Sequence, residues 1–174
     1  GCTGLTKLPV KLTVGKNLFL RRCTNLKVLS DGLSVGGSLD LNGCTGLTEL
    51  PYGLSVPGGD LNLDGCIGLN ALPAGLSVGG ALYLYSRIGL NLNALPAGLS
   101  IGGDLHLKGS SWLTALPAGL KVGGDLYLNG CTELTALPAG LSVGGDLNLD
   151  SCTRLTALPD GFSVDGDLSL RFIT

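Results

Sequence analysis

The sequence predicts a β-rich solenoid of about eight repeats, and three observations carry that prediction. A Leu-rich segment returns every 21 to 23 residues along the whole chain. Nearly every return keeps the same seven apolar places, as Leu113, Leu116, Leu120, Val122, Leu126, Leu128 and Cys131 do in the sixth unit. Each also holds a Leu-x-Leu alternation between glycine-containing turns, which is the two-residue period of a strand with one buried face. Self-similarity at such a period is the signature of stacked coils.

The units start near Leu5, Leu26, Leu47, Leu69, Leu92, Leu113, Leu134 and Leu155, and together read as one solenoid domain over residues 1–174. The extra residue of the third unit is Pro57, and the two extra residues of the fourth fall within 87–91. Within a unit the elements follow in order. Leu113-Thr114-Ala115-Leu116-Pro117 opens the return path, where Pro117 and Gly119 leave no room for a long helix. Extended or polyproline-like backbone with a 3₁₀ turn is expected there. Gly123-Gly124 reads as a turn that needs glycine's backbone freedom. Leu126-Tyr127-Leu128 is the strand, and Asn129-Gly130 ends it. One unit cannot bury seven apolar side chains alone; stacked copies can, with parallel strands about 4.8 Å apart.

Composition narrows the function. The chain has 30 Gly, no Met, 14% charged residues and a formal net charge of −2. That balance offers no electrostatic argument for nucleic acid, and no basic cluster suggests a membrane surface. No apolar run approaches the roughly 18 residues of a membrane span, so no membrane insertion is expected. The absence of Met and the mid-repeat opening at Gly1-Cys2-Thr3-Gly4 point to a processed or trimmed piece of a longer chain.

The run from Leu126 to Leu141, L-x-L-x-x-C-x-x-L-T-x-L-P-x-x-L, resembles a leucine-rich repeat. Cys stands where many such repeats place Asn. The short period and the L-P-x-G-L segment are similar to repeats of bacterial surface and secreted effector proteins. The resemblance implies a right-handed coil with one parallel sheet on a concave face. It also implies a protein-binding role in a secreted or cell-surface setting. Some effectors of this kind carry a ubiquitin-ligase domain, which nothing in this chain resembles. The Val-Gly-Gly-Asp turn and the lack of a recognisable cap depart from the family pattern. Uncapped ends would expose apolar core and favour end-to-end self-association.

Several residue sets carry candidate chemistry. Cys2, Cys23, Cys44, Cys66, Cys131 and Cys152 share one repeat place, which Ser110 and Ile173 take in other units. A row of thiols does not converge tetrahedrally as zinc requires, so buried, reduced packing is expected. Asp60-Leu61-Asn62-Leu63-Asp64-Gly65 matches the opening of a calcium loop, but the twelfth place is Ala71. Asp104, Asp125, Asp146 and Asp167 fall on consecutive rungs and could attract Ca²⁺ or a basic partner. The favoured reading is that each bonds backbone N–H groups near the Gly-Gly turn. His106 is the only histidine, and no nucleophile–base pair is readable, so neither catalysis nor a cofactor is expected.

The informative places are those that vary inside the fixed frame. Between the strand leucines lie Phe19, Tyr83, His106 and Tyr127 among polar residues such as Asp40 and Asn62, and two residues further on lie Tyr85 and Lys108. Strand alternation sends both sets to solvent. Four of the chain's eight aromatic residues are on this face, and Trp112 stands at the exit of a strand. Tyr83, Tyr85, Arg87, His106, Lys108, Trp112 and Tyr127 are therefore expected at the centre of a protein-binding surface. The alternative is that Tyr and Trp merely cover leucine, with Ile88 and Leu90 filling the place of the absent Cys. A recognition module is the expected function. A self-associating spacer and the targeting part of a larger enzyme are the alternatives.

Overall fold

The computed structural model describes residues 1–85, 92 and 94–171. The chain forms a parallel β-solenoid, and no helix occurs among the described residues. Each coil contributes two short strands. One row runs from Leu18–Phe19 to Leu168–Ser169 and makes a continuous eight-stranded parallel sheet. Register is leucine on leucine: Leu105 pairs with Leu126 above it and with Leu82 below it. The sheet keeps this register past the insertion between the fourth and fifth coils.

The other row, from Thr13–Val14 to Ser163–Val164, forms a second parallel stack. Sequence analysis assigned that stretch to the return path and expected one sheet only. The Ser-Val dipeptide is too short to show a period, but the valine is buried and the serine largely exposed, as in Ser55–Val56. This second stack is broken into a pair and a six-stranded sheet, between Ser34–Val35 and Ser55–Val56. Pro57 explains the break. In other coils the residue after the valine donates its N–H to the valine carbonyl of the preceding coil, as Gly36 does to Val14 at 2.8 Å and Gly79 to Val56 at 2.9 Å. Proline has no N–H to give.

Between the sheets lies one aliphatic core. Leu39, Leu61, Leu82, Leu105, Leu126 and Leu147 are fully buried in a single column, and Leu41, Leu63, Leu84, Leu107, Leu128 and Leu149 in the next. Each buried leucine is worth about 1.5–3 kcal/mol, and every inner coil supplies a full set. At the last coil this cover thins, leaving Leu168 and Leu170 exposed.

The paired glycines work differently from the expectation. Gly123 and Gly124 are not among the residues with positive φ. Their role is close approach: a Cβ on Gly123 would strike the Gly102 carbonyl, and one on Gly124 would strike Asp104 Oδ1. Left-handed backbone falls instead at Gly119 (φ +66°) and Gly130 (φ +78°), in the return path and after the strand.

The cysteine column is buried and unbridged apart from Cys2, which is exposed. Cys44, Cys66, Cys131 and Cys152 each donate the thiol to a carbonyl of a preceding coil. Cys44 Sγ reaches Leu20 O at 3.0 Å and Cys131 Sγ reaches Leu107 O at 3.1 Å. Burial pushes the Cys66 and Cys131 thiols up to about 12, so they remain protonated donors.

Candidate binding face

The outward face of the eight-stranded sheet carries three columns. The central one holds the residue between the two strand leucines. Most of its polar members have a backbone task. Asn62 Oδ1 accepts the N–H of Asp64, and Asn148 Oδ1 that of Asp150, each at 3.0 Å. Asp40, expected in solvent, is buried; it bonds the Asn42 N–H and pairs with the Arg21 guanidinium.

Rings occupy the middle of this column. In-register pairing sets Tyr83, His106 and Tyr127 on consecutive strands. The His106 ring lies 4.5 Å from Tyr83 with planes 8° apart, and 4.7 Å from Tyr127 with planes 11° apart. Strand spacing alone places flat side chains at stacking distance. All three rings are partly exposed. Among the described residues none of these rings accepts the neighbouring backbone N–H in the way Asn62 does.

The second column flanks the first on the glycine side, and it is a hydrogen-bonded ladder. Asp104 Oδ1 accepts the N–H of Asp125, Asp125 Oδ1 that of Asp146, and Asp146 Oδ1 that of Asp167, at 2.7–2.8 Å. Lower down, Asn17 serves Ser38, Ser38 serves Asp60, and Asp60 serves Ala81. The expected bonding to backbone N–H is therefore present, but it runs to the next coil rather than within the turn. It also explains Gly124: the same carboxylate fills the space a side chain there would need. Among the described residues no three Asp, Glu, His or Cys side chains gather as a metal site.

The two columns touch. Tyr127 donates its hydroxyl to Asp125 Oδ2 at 2.7 Å, and His106 Nε2 lies 3.8 Å from Asp104 Oδ2. Hydrogen bonds from the Asp146 N–H and then from Tyr127 hold Asp125 below the usual carboxylate range. The same Asp125 bond, reinforced by burial and by the Asp104 and Asp146 charges, raises Tyr127 to about 12. Burial, with the charges of Asp60, Asp104 and Asp64, raises Tyr83.

The third column follows the strand. Tyr85 and Lys108 border a shallow groove of about 230 Å³ with Asn129 and Asp150. Asp64 Oδ1 accepts the Tyr85 N–H at 2.6 Å, and burial raises the Asp64 carboxyl above its ordinary value. Of the seven residues named from sequence, Tyr83, His106 and Tyr127 stack, and Tyr85 and Lys108 line the adjoining groove. Trp112 packs half-buried against the leucine core, with its Nε1 buried and unpartnered among the described residues. Arg87 lies outside the described residues, as do Ile88 and Leu90.

Charge on this face was hidden by the average. Among the described residues the three columns hold eight aspartates against Arg21, Lys108 and Arg171, a balance of −5 in a chain whose total is −2. The rest of the sequence therefore carries +3, and five of its eight Lys and Arg (Lys7, Lys11, Lys16, Arg22 and Lys27) precede Asp31, the first acidic residue. The near-neutral total is a difference between two opposed regions.

No protein-family model, no curated protein and no solved structure matches the chain. The coil geometry itself, with turns of about 21 residues and Leu and Ser strand pairs, is compatible with a leucine-rich-repeat-like solenoid.

Proposed function

We propose that this solenoid is a non-enzymatic recognition module that binds a protein partner on the outward face of its eight-stranded sheet. The observation that carries this reading is the Tyr83–His106–Tyr127 stack. Asn62 and Asn148, in the same column, are accounted for by the backbone bonds they make. The rings make no such bond, yet occupy three successive rungs at the middle of the face. Partly exposed aromatic groups on a rigid frame are what a binding surface uses, because few degrees of freedom are lost on contact. The adjoining Tyr85–Lys108 groove extends the surface.

The test is capture of interacting proteins with the wild-type chain and with Tyr83→Ala/Tyr127→Ala, each checked for native circular dichroism. The reading expects specific partners to be lost from the folded double variant. Equal capture by both would place recognition elsewhere on the molecule.

A further inference from the structure

We infer that the partner segment recognised by this face is an extended, lysine- and arginine-rich stretch of polypeptide. This rests on the recognition reading above and gives its partner a chemistry. The aspartate row is unusual in how its charge is maintained. Parallel strands put like carboxylates about 5 Å apart, an arrangement that destabilises the row. The fold offsets this by giving Asp104, Asp125 and Asp146 one backbone N–H each from the coil above. Each of those bonds uses only Oδ1. Of the second oxygens, Asp125 Oδ2 accepts the Tyr127 hydroxyl and Asp104 Oδ2 stands 3.8 Å from His106 Nε2, while Asp146 Oδ2 has no hydrogen-bond partner among the described residues.

The chain does not neutralise this charge itself. Of the three cations on the face, Arg21 is committed to Asp40, near the first coil. Lys108 and Arg171 remain against the other seven aspartates. A metal ion is a poor occupant, because no three ligands converge among the described residues. A row of evenly spaced single carboxylates suits a row of separate cations instead. The stacked rings border the row on one side, so the aliphatic stems of Lys and Arg have apolar surface to cover while their heads meet the carboxylates. The net positive charge of the rest of the sequence also orients such a partner toward this face.

The decisive variant is Asp104→Asn/Asp125→Asn/Asp146→Asn. An amide keeps the Oδ1 acceptor, as Asn17 shows by bonding the Ser38 N–H at 2.8 Å, so charge is removed and the ladder stays. Binding of a short fluorescent Arg/Lys-rich peptide, and of an acidic peptide of equal length, is followed by anisotropy over a series of salt concentrations. The wild type should bind the basic peptide, more weakly as salt rises, and the folded triple variant should bind it roughly tenfold more weakly. Should the triple variant lose its fold, Asp146→Asn alone should still weaken binding measurably. Undiminished binding by folded Asn variants, or equal binding of the acidic peptide, overturns the assignment. If Tyr83→Ala/Tyr127→Ala weakens partner capture while the Asn variants do not alter peptide binding, the recognition face stands and its basic partner falls. A salt-sensitive dimer of the wild type, seen by light scattering and absent in the triple variant, would instead name the basic first coil of a second copy as the occupant and overturn the inference.

Discussion

Gly124 sits where its own Cβ would occupy the position of Asp104 Oδ1 in the coil below, and that carboxylate bonds the N–H of Asp125, the next residue. Glycine and aspartate are thus one device, repeated up the stack. The only non-glycine in the equivalent place is Lys16, in the first coil, where no coil lies below it in the structure. Close approach and left-handed backbone can be separated experimentally. Gly124→Ala should cost about 2 kcal/mol or more, through overpacking against backbone and carboxylate. Gly119→Ala should cost about 1 kcal/mol, because its space is open and only its φ of +66° is strained. Lys11 holds the Gly119-type place at φ +55°, which shows that position tolerates a side chain. Urea unfolding midpoints of the two variants check the order.

Ser110 takes the cysteine place of the fifth coil, is 1% exposed, and its Oγ has no partner among the described residues. Cys131 in the same place spans to a carbonyl of the coil before it at 3.1 Å. A C–O bond is shorter than a C–S bond, so the hydroxyl falls short of such a carbonyl. Ser110→Cys should stabilise the fold by about 1 kcal/mol, and Cys131→Ser should destabilise it. Paired denaturation curves decide this; a destabilised Ser110→Cys would contradict it.

The thiols should divide cleanly in reactivity. Cys2 is exposed, whereas Cys66 and Cys131 are buried with values pushed up to about 12. A thiol reagent at neutral pH should label Cys2 quickly and the buried column only on unfolding, because the thiolate is the reactive form. Mass spectrometry of a labelling time course reads the order.

The Tyr127–Asp125 bond gives two opposite pH signatures. Asp125 is lowered in the folded state, so its contribution is present above the ordinary Asp value of about 4 and is lost as pH falls through its folded value. Asp64, raised by burial, opposes this by favouring the folded state in acid. Tyr127 is raised to about 12, so its contribution is complete below about 10 and disappears as pH climbs toward 12. Asp125→Asn should move the Tyr127 phenolate transition back toward pH 10. Ultraviolet difference titration of the two proteins measures the shift.

Much of this fold was legible because the repeat states it many times over. The strand leucines, the buried cysteine column and the eight rungs all followed from period and alternation. What was not legible depends on distances between coils. A Ser-Val pair shows no period, so the second stack of strands passed as return path. Glycine pairs looked like turns, because a sequence does not show that the carbonyl of Gly102 lies against Gly123. Asp40 was read as solvent-facing because Arg21, its partner, belongs to the coil before it. Trp112 was read as exposed because alternation says nothing of a residue beyond the strand. Alternation placed Tyr83, His106 and Tyr127 on one face, but stacking required the register across the 87–91 insertion, and spacing alone does not supply it.

That register is the premise of the whole face, and the His106 ring reports on it directly. Enclosed between two parallel tyrosines at 4.5 and 4.7 Å, its ring protons lie in both ring-current fields. Proton NMR of the wild type, Tyr83→Leu and Tyr127→Leu should show strongly upfield His106 resonances, with each substitution removing part of the shift. His106 signals at the position of a freely exposed histidine, unmoved by either substitution, would contradict the stacked face and the recognition surface built on it.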